Sequence, residues 1–206
     1  MFSDNDAYII GLTGMSGAGK TTACEAFRDA GFGIINCDTV SRIVVEKGKP
    51  ALSELCGYFG EGILLSDGTL DRKGLGRLIF SDEKARASFN EIIYPYISYE
   101  MIKSAVKYID EGYRFILLDA PTLFESGTDG FCDKIVSVVA DKETCLERIR
   151  KRDNLTYEEA VNRLSSQFPP EFYRERSDYC VENKGSTEEL RNEIRKIALK
   201  IGVADA

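Results

Sequence analysis

Histidine is absent from this chain of 206 residues, and its absence removes several kinds of metal and catalytic site at once. Without histidine the chain cannot complete a Cys-His zinc site or a Cys-His nucleophile. The cysteines are scattered with no C-x-x-C pair among them, so we expect buried apolar side chains rather than a disulfide framework. They are Cys24, Cys37, Cys56, Cys132, Cys145 and Cys180.

Long apolar runs and long basic runs are also missing. No stretch of about eighteen apolar residues is present, and the N-terminal stretch MFSDNDAYII lacks the basic region and apolar centre of a signal peptide. The formal net charge is -7, and no long run of Lys and Arg is present. Neither nucleic acid nor an anionic membrane surface is therefore the expected partner. These absences favour a cytoplasmic protein that acts on a small molecule, and they leave its oligomeric state open.

What the chain does contain is the pattern of an α/β domain. Short apolar runs alternate with amphipathic segments, which is typical of a parallel sheet covered by helices. The predicted strands are residues 8–12, 32–38, 114–119, 134–140 and 179–181. The predicted helices are residues 20–30, 142–152 and 187–201. One more helix is predicted to begin at the capping box of Thr156 and Glu159 and to end at Pro169 and Pro170.

Residues 39–112 interrupt this alternation. No comparable strand is evident there, while GKPALSELCGYFG, TLDRKGLGRLIF and SDEKARASFNEII carry apolar residues at helical spacing. A segment of that length is too long and too regularly patterned to be a loop. We therefore predict a helical insertion within a single domain.

The stretch GMSGAGKT, residues 14–21, matches the phosphate-binding pattern G-x-x-x-x-G-K-[ST] and lies between a predicted strand and a predicted helix. Its glycines let backbone N–H groups turn toward phosphate oxygens, and the positive end of the helix adds to the attraction. Lys20 is expected to bridge the β- and γ-phosphates, and the Thr21 hydroxyl to bind Mg²⁺. The alternatives are a glycine-rich turn that binds nothing and a dinucleotide site, which the glycine spacing disfavours. The predicted nucleotide-binding residues here are Gly14, Ser16, Gly17, Ala18, Gly19, Lys20, Thr21 and Thr22.

This loop occurs in GTPases, ATPase motors and kinases, and other motifs must distinguish them. A GTPase usually reads guanine with N-K-x-D, but the nearest stretch, residues 183–186, ends in serine. A motor usually places glutamate after the acid that ends the buried strand, but Asp119 is followed by Ala120 and Pro121. Both comparisons favour a kinase, which needs an acid near the loop, an acceptor-binding insertion and a closing lid with arginine.

Two acids and two arginines are the candidates for those parts. Asp38, at the predicted end of the second strand, is a possible base or orienting group for the acceptor hydroxyl, or else it caps the next helix. Asp119 is predicted to bind Mg²⁺ and its waters, with an ordinary strand-end turn as the alternative. Arg148 and Arg152 lie four residues apart on one helix face, which fits either a phosphoryl-neutralising lid or a solvated basic face.

Together these motifs resemble the dephospho-CoA kinase family over nearly the whole chain. The matching stretches are the loop, IINCDTVSRIVVEKGKPAL, DGTLDRKGLGRLIFSD, IIYPYI, LLDAPTLFESG, LERIRKRDNLTYEEAVNRLSSQ and VENKGS. The resemblance implies the P-loop NTPase fold, with a parallel five-stranded sheet flanked by helices. It implies one kinase domain over residues 1–206, made of a core at about 7–38, 113–150 and 177–206, the insertion at about 39–112 and the lid at about 150–176.

The resemblance also implies an activity, which is transfer of the ATP γ-phosphate, with Mg²⁺, to the ribose 3'-hydroxyl of dephospho-CoA. Asp38 then becomes the base or hydroxyl-orienting group, and Lys20, Arg148 and Arg152 become catalytic residues. Residues 183–185, including Asn183 and Gly185, would lie near adenine. The implied acceptor-binding residues are Asp38, Arg77, Phe80, Tyr94, Pro95, Leu123 and Phe124.

Two residues depart from the family pattern. Asn36 stands where many members have a first aspartate, which leaves Asp38 as the sole acid at that predicted strand end. Tyr94 stands where the family usually has histidine, and tyrosine does not titrate near neutral pH. These departures bear on acceptor affinity and pH dependence more than on the type of reaction.

Two other functions stay open on the sequence alone. One is a kinase of the same architecture that acts on a nucleotide, a nucleoside or another small hydroxyl compound. The other is a nucleotide-binding regulator that has lost turnover. The presence of Lys20, Thr21, Asp38 and Asp119 speaks against the regulator, because a non-catalytic relative is free to lose them.

Overall fold

The computed structural model describes residues 7–202, and the side chain of Phe80 lies outside what it describes. Two compact units are present, divided between Asn36 and Cys37 and again between Lys107 and Tyr108. The strands are β1 (Tyr8–Gly14), β2 (Gly33–Asn36), β3 (Phe115–Asp119), β4 (Lys134–Val139) and β5 (Tyr179–Glu182). The helices are α1 (Lys20–Asp29), α2 (Cys37–Ile43), α3 (Pro50–Phe59), α4 (Arg72–Ser81), α5 (Glu83–Asp110), α6 (Lys142–Asp153), α7 (Tyr157–Ser165), α8 (Pro170–Arg176) and α9 (Thr187–Ile201).

The first unit is built on one sheet with the strand order β2-β3-β1-β4-β5. Every pairing in that sheet is parallel, and helices flank it, which confirms the predicted fold class. Because β1 lies in the middle, the loop that follows it leaves the centre of the sheet at the carboxyl edge. That edge is where open α/β sheets bind their ligands.

The core of the first unit explains why the strands read as continuous apolar runs. Ile10 and Leu12 of β1 and Val136 and Val138 of β4 have no exposed surface, because helices cover both faces of the sheet. Phe27 of α1 is fully buried in the same cluster. The central position of β1 therefore holds the start of the phosphate-binding loop on a rigid base.

The second unit, from Cys37 to Lys107, is helical, as the apolar spacing predicted. Its one pairing outside named strands among the described residues is an isolated antiparallel bridge between Leu64 and Leu70. The Asp71 carboxylate caps α4 by accepting the N–H of Gly74 at 2.9 Å. Helix α5 runs through Pro95 and extends well beyond the predicted apolar pattern.

Two boundaries differ from the predictions. The second strand ends at Asn36, and Asp38 lies in the first turn of α2 instead of at the strand end. A carboxylate there is stabilised by the nearby helix N-terminus, and the catalytic role of Asp38 stays a prediction. Pro170 is the first residue of α8, a helix that was not predicted from the sequence. Proline is tolerated at the first helical position because its missing N–H would have no partner within the helix there.

Candidate active site

The phosphate-binding loop has a backbone that favours glycine at three of its positions. Gly14, Gly17 and Gly19 have φ angles of 131°, 79° and 113°, which L side chains rarely adopt. A Cβ at Gly14 would overlap the backbone of Val138, and one at Gly19 would lie 2.7 Å from the Asn183 amide nitrogen. The motif glycines thus allow both the backbone turn and the close approach of β4 and of residue 183.

Lys20 opens α1 directly after the loop and folds back over it. Its Nζ donates hydrogen bonds to the carbonyl oxygens of Gly14 at 2.8 Å and Met15 at 2.9 Å. These two hydrogen bonds hold the ammonium at the loop, where it can meet a phosphate. Thr21 follows in the first turn of α1 and is exposed, and Thr22 is half-buried beside it.

Asn183 holds the phosphate-binding loop through a side-chain hydrogen bond, a role that was not predicted from the sequence. It is buried, with 7% of its surface exposed, and its Nδ2 donates to the carbonyl oxygen of Ala18 at 2.7 Å. Its own N–H donates to Val139 at 2.8 Å, which places it directly after β5. A Cβ at Gly185 would collide with the Glu189 carboxylate that caps α9. Contact of Asn183 and Gly185 with adenine stays a prediction.

The two predicted lid arginines of α6 have different partners. Arg148 reaches the loop and donates from Nη1 to the carbonyl oxygen of Gly17 at 3.3 Å. Arg152 instead forms two 2.8 Å hydrogen bonds with the carboxylate of Asp153, which also pairs with Arg163 of α7 at 2.7 Å. The hydrogen bonds from Arg152 lower the pKa of Asp153. Of the predicted pair, the structure brings only Arg148 to the phosphate-binding loop.

Gln167 also contacts the loop, and the sequence analysis gave it no role. Its Oε1 accepts a hydrogen bond from the backbone N–H of Ser16 at 2.8 Å. The two residues are 151 positions apart, and no local pattern pairs them. Gln167 lies in the short connection between α7 and α8, so a side chain from this segment occupies one of the loop's N–H groups.

Asp119 ends β3 at the same edge of the sheet as the loop. Its Oδ2 accepts a 2.9 Å hydrogen bond from Nδ2 of Asn36, its register partner at the end of β2. Burial, and then the negative charge of Asp119, raise the pKa of Cys24 to about 11. Because Cys24 lies in α1, one turn after Thr21, this effect locates the Asp119 carboxylate near the start of that helix.

The donor atoms in this region suit Mg²⁺. The Thr21 hydroxyl and the Asp119 carboxylate are oxygen ligands, and Mg²⁺ typically takes one or two protein oxygens plus waters and phosphate oxygens. No cluster of three or more His, Cys, Asp or Glu side chains that could hold a metal occurs within residues 7–202. A site completed by nucleotide phosphates therefore fits these residues better than an all-protein cage.

Asn36 places a neutral amide, and not a second carboxylate, beside Asp119 where the ends of β2 and β3 lie next to each other. At neutral pH we expect Asn36→Asp to be less stable to unfolding than Asn36→Ala by about 1 kcal/mol, because it sets a second carboxylate beside Asp119 in a partly exposed setting. Urea unfolding of both variants tests this, and the difference should vanish in acid, where carboxylates are protonated. Equal stability at neutral pH would mean that the two side chains do not interact.

The predicted acceptor residues of the second unit do not share one cavity. Arg77 lines a cavity of about 660 Å³ together with Arg72 and Lys73, which makes it strongly basic. Pro95 lines a different cavity of about 510 Å³. Burial raises the pKa of Tyr94, so its phenol stays neutral throughout the physiological range. Asp38 is exposed in α2, and the predicted role of Phe80 falls on a side chain outside the described residues.

Leu123 and Phe124, the other two predicted acceptor residues, belong to the first unit, and their contact with an acceptor stays a prediction. Leu123 is fully buried, and its methyl groups fill the space that a Cβ at Gly11 would need. Phe124 meets Phe172 of α8 edge to face, with ring centroids 5.2 Å apart. Both side chains therefore contribute to the packing of the first unit.

None of the described helices is both long enough and apolar enough to cross a membrane.

Comparison with known proteins identifies relatives that match over nearly the full length. The family model described as dephospho-CoA kinase matches residues 8–189. A dephospho-CoA kinase of Listeria monocytogenes is 38% identical over 185 residues, covering 90% of this chain and 92% of that protein. A solved Thermus thermophilus structure has a TM-score of 0.81 at 27% identity and covers 95% of this chain and 98% of that one. The dephospho-CoA kinase structure from Campylobacter jejuni has a TM-score of 0.67 at 26% identity, with coverages of 94% and 96%.

Proposed function

This chain belongs to the dephospho-CoA kinase family, and from that membership we propose how its residues phosphorylate the ribose 3'-hydroxyl of dephospho-CoA to give CoA and ADP. The observation that carries the activity is the extent of the match, because residues 8–189 include both the phosphate-binding loop and the helical unit. A kinase with another acceptor is not favoured, since it would share the loop without sharing the rest of the chain.

On the donor side, the backbone N–H groups of residues 14–22 bind the ATP phosphates and Lys20 bridges the β- and γ-phosphates. The hydrogen bonds from Lys20 to two loop carbonyl oxygens support this role, because they already hold the ammonium at the loop. Arg148, which contacts Gly17, neutralises charge on the transferring phosphoryl oxygens. Arg152 can join it only after leaving Asp153.

Mg²⁺ is the second component of the donor side. The Thr21 hydroxyl would hold it directly, and Asp119 would hold it directly or through a bound water. The chemistry that the ion supplies when bound is neutralisation of charge on the β- and γ-phosphate oxygens. Asn36 keeps the Asp119 carboxylate oriented through the hydrogen bond to Oδ2.

On the acceptor side, Asp38 accepts the proton of the 3'-hydroxyl as the oxygen attacks the γ-phosphorus. One P–O bond forms to the ribose, the bond from the γ-phosphorus to the bridging oxygen breaks, and ADP leaves. Asp38 is exposed, and only one residue, Cys37, separates it from Asn36 at the end of β2, so chain connectivity keeps it near that strand end. The basic cavity at Arg77 supports acceptor binding by the helical unit, because dephospho-CoA carries a diphosphate.

We retain the predicted organisation as part of the proposal. One kinase domain comprises the sheet-bearing core, an acceptor-binding insertion at about 39–112 and a lid at about 150–176. The cytoplasm remains the compartment that the sequence predicts.

An acceptor panel tests the proposal. With ATP and Mg²⁺ in excess, release of ADP should be strongly stimulated by dephospho-CoA and only weakly by adenosine, AMP or shikimate. The product should carry its new phosphate on the 3'-oxygen, which mass spectrometry and ³¹P NMR identify. Preference for another acceptor, or no stimulation at saturating dephospho-CoA, would overturn the assigned substrate.

A further inference from the structure

The hydrogen bond from the N–H of Ser16 to Oε1 of Gln167 places a neutral side chain where the loop should meet phosphate. We propose that Gln167 is a positioning residue that occupies the phosphate-binding loop in the absence of nucleotide and is displaced by the nucleotide phosphates. This inference rests on the proposed nucleotide site but not on the identity of the acceptor.

The electrostatics of the loop favour this exchange. Ser16 is buried, with 8% of its surface exposed, so its N–H needs a partner when no phosphate is present. The Gln167 amide oxygen supplies one, but it carries no charge. A phosphate oxygen is a charged acceptor, which makes a stronger hydrogen bond and also gains from the positive end of α1. The amide therefore stabilises the empty loop without blocking nucleotide.

The segment around Gln167 determines which part of the chain can respond. On its C-terminal side, the Phe168 ring stacks on Phe172 of α8 with centroids 3.8 Å apart, and Pro169 and Pro170 stiffen the backbone. On its N-terminal side lies α7, which is tied to α6 by an exposed ion pair between Arg163 and Asp153 and has Ala160 and Leu164 buried in the core. Both neighbours of Gln167 are thus packed in place, so the exchange with phosphate involves the Gln167 side chain itself.

The ion pairs before Gln167 also include Arg152. The Asp153 carboxylate holds Arg152 of α6 and Arg163 of α7 at the same time. This pairing joins the two helices before Gln167, and the Gln167 side chain can leave Ser16 without breaking it.

The proposal predicts opposite effects for two variants in a nucleotide titration without acceptor. Gln167→Ala removes the competitor, and one hydrogen bond corresponds to about two- to tenfold tighter ADP binding. Gln167→Glu keeps the acceptor atom but adds a negative charge, which holds the loop N–H more strongly and repels phosphate, so ADP should bind at least several-fold more weakly. A residue with a merely structural role would weaken binding in both variants.

Calorimetric titration with ADP and Mg²⁺ on the full chain measures these affinities, and Ser166→Ala is the matched control because it alters the neighbouring exposed side chain. Amide exchange at Ser16 gives a second readout and should be faster in nucleotide-free Gln167→Ala than in the unaltered protein. Unchanged or weaker ADP binding in Gln167→Ala, or undiminished binding in Gln167→Glu, would overturn the proposal.

The same preparations separate this inference from the proposed function. The ADP affinities can shift as predicted while dephospho-CoA is not phosphorylated, in which case the acceptor assignment is wrong and the role of Gln167 stands. If phosphorylation of dephospho-CoA proceeds and Gln167→Ala leaves ADP affinity unchanged, the role of Gln167 is wrong and the function stands.

Discussion

Lys20→Ala should reduce phosphoryl transfer to dephospho-CoA by at least about 10²- to 10³-fold, the range found when one group that stabilises developing charge is removed. The ammonium is held directly on the loop by hydrogen bonds to the carbonyl oxygens of Gly14 and Met15. It brings a positive charge to the place where phosphate is expected. Alanine leaves the loop backbone in place and removes that charge, which lowers the rate with little effect on the fold.

The measurement is single-turnover transfer from ATP, with urea unfolding as the check on folding. Lys196→Ala is a suitable control, because Lys196 is an exposed lysine of α9 that pairs only with Glu193 of its own helix among the contacts described. It should retain the rate of the unaltered protein. Lys20→Arg should not restore activity, because the guanidinium is larger and planar and does not fit a site shaped for an ammonium. Transfer at full rate by Lys20→Ala would refute the assignment of the loop.

Asp38→Asn should lower the turnover rate by about 10²- to 10⁴-fold while ADP affinity stays unchanged. Asparagine has nearly the same size and can still hydrogen-bond a hydroxyl, but it cannot take up its proton. The loop that binds nucleotide is not altered by this change. A large effect on turnover with none on nucleotide binding is therefore the signature of a proton acceptor on the acceptor side.

The alternative role of Asp38, as an acid that stabilises the start of α2, predicts a different result. Loss of a favourable charge in the first helical turn costs about 0.3–1 kcal/mol of stability and leaves turnover in the folded protein intact. Measuring both turnover and urea stability distinguishes the two roles. Glu61→Gln is the control, since it neutralises another exposed carboxylate of the helical unit. Full turnover in Asp38→Asn would assign the proton to another group.

The residues at the ends of β2 and β3 show which parts of the candidate site can be predicted from the sequence. Asp119 was identified because a buried strand ends in an acid, and the structure puts it at the expected edge. Asp38 was placed at the end of a strand that in fact ends at Asn36. Apolar residues on both sides of this boundary look alike in sequence, and the ladder with β3 is what ends the strand.

The helical unit shows the same limit. Its helices were predicted from apolar spacing, but the basic cavity lined by Arg77 and the separate cavity lined by Pro95 depend on how those helices pack. In the first unit, the complete burial of Leu123 likewise depends on tertiary packing, and no local pattern predicts it.

The sequence by itself determined the class of fold, the phosphate-binding loop and the family, because each is encoded by patterns of neighbouring residues: alternating apolar runs, glycines at fixed spacing and a lysine at a helix start. Only the tertiary structure decided which side chains serve that loop. Asn183 meets Ala18 across 165 positions, Gln167 meets Ser16 across 151, and Asn36 meets Asp119 across 83. Such pairs form at the edge of the sheet where parallel strands bring their carboxyl ends together and a helical connection reaches the loop, and no local spacing in the chain records which distant residues will arrive there.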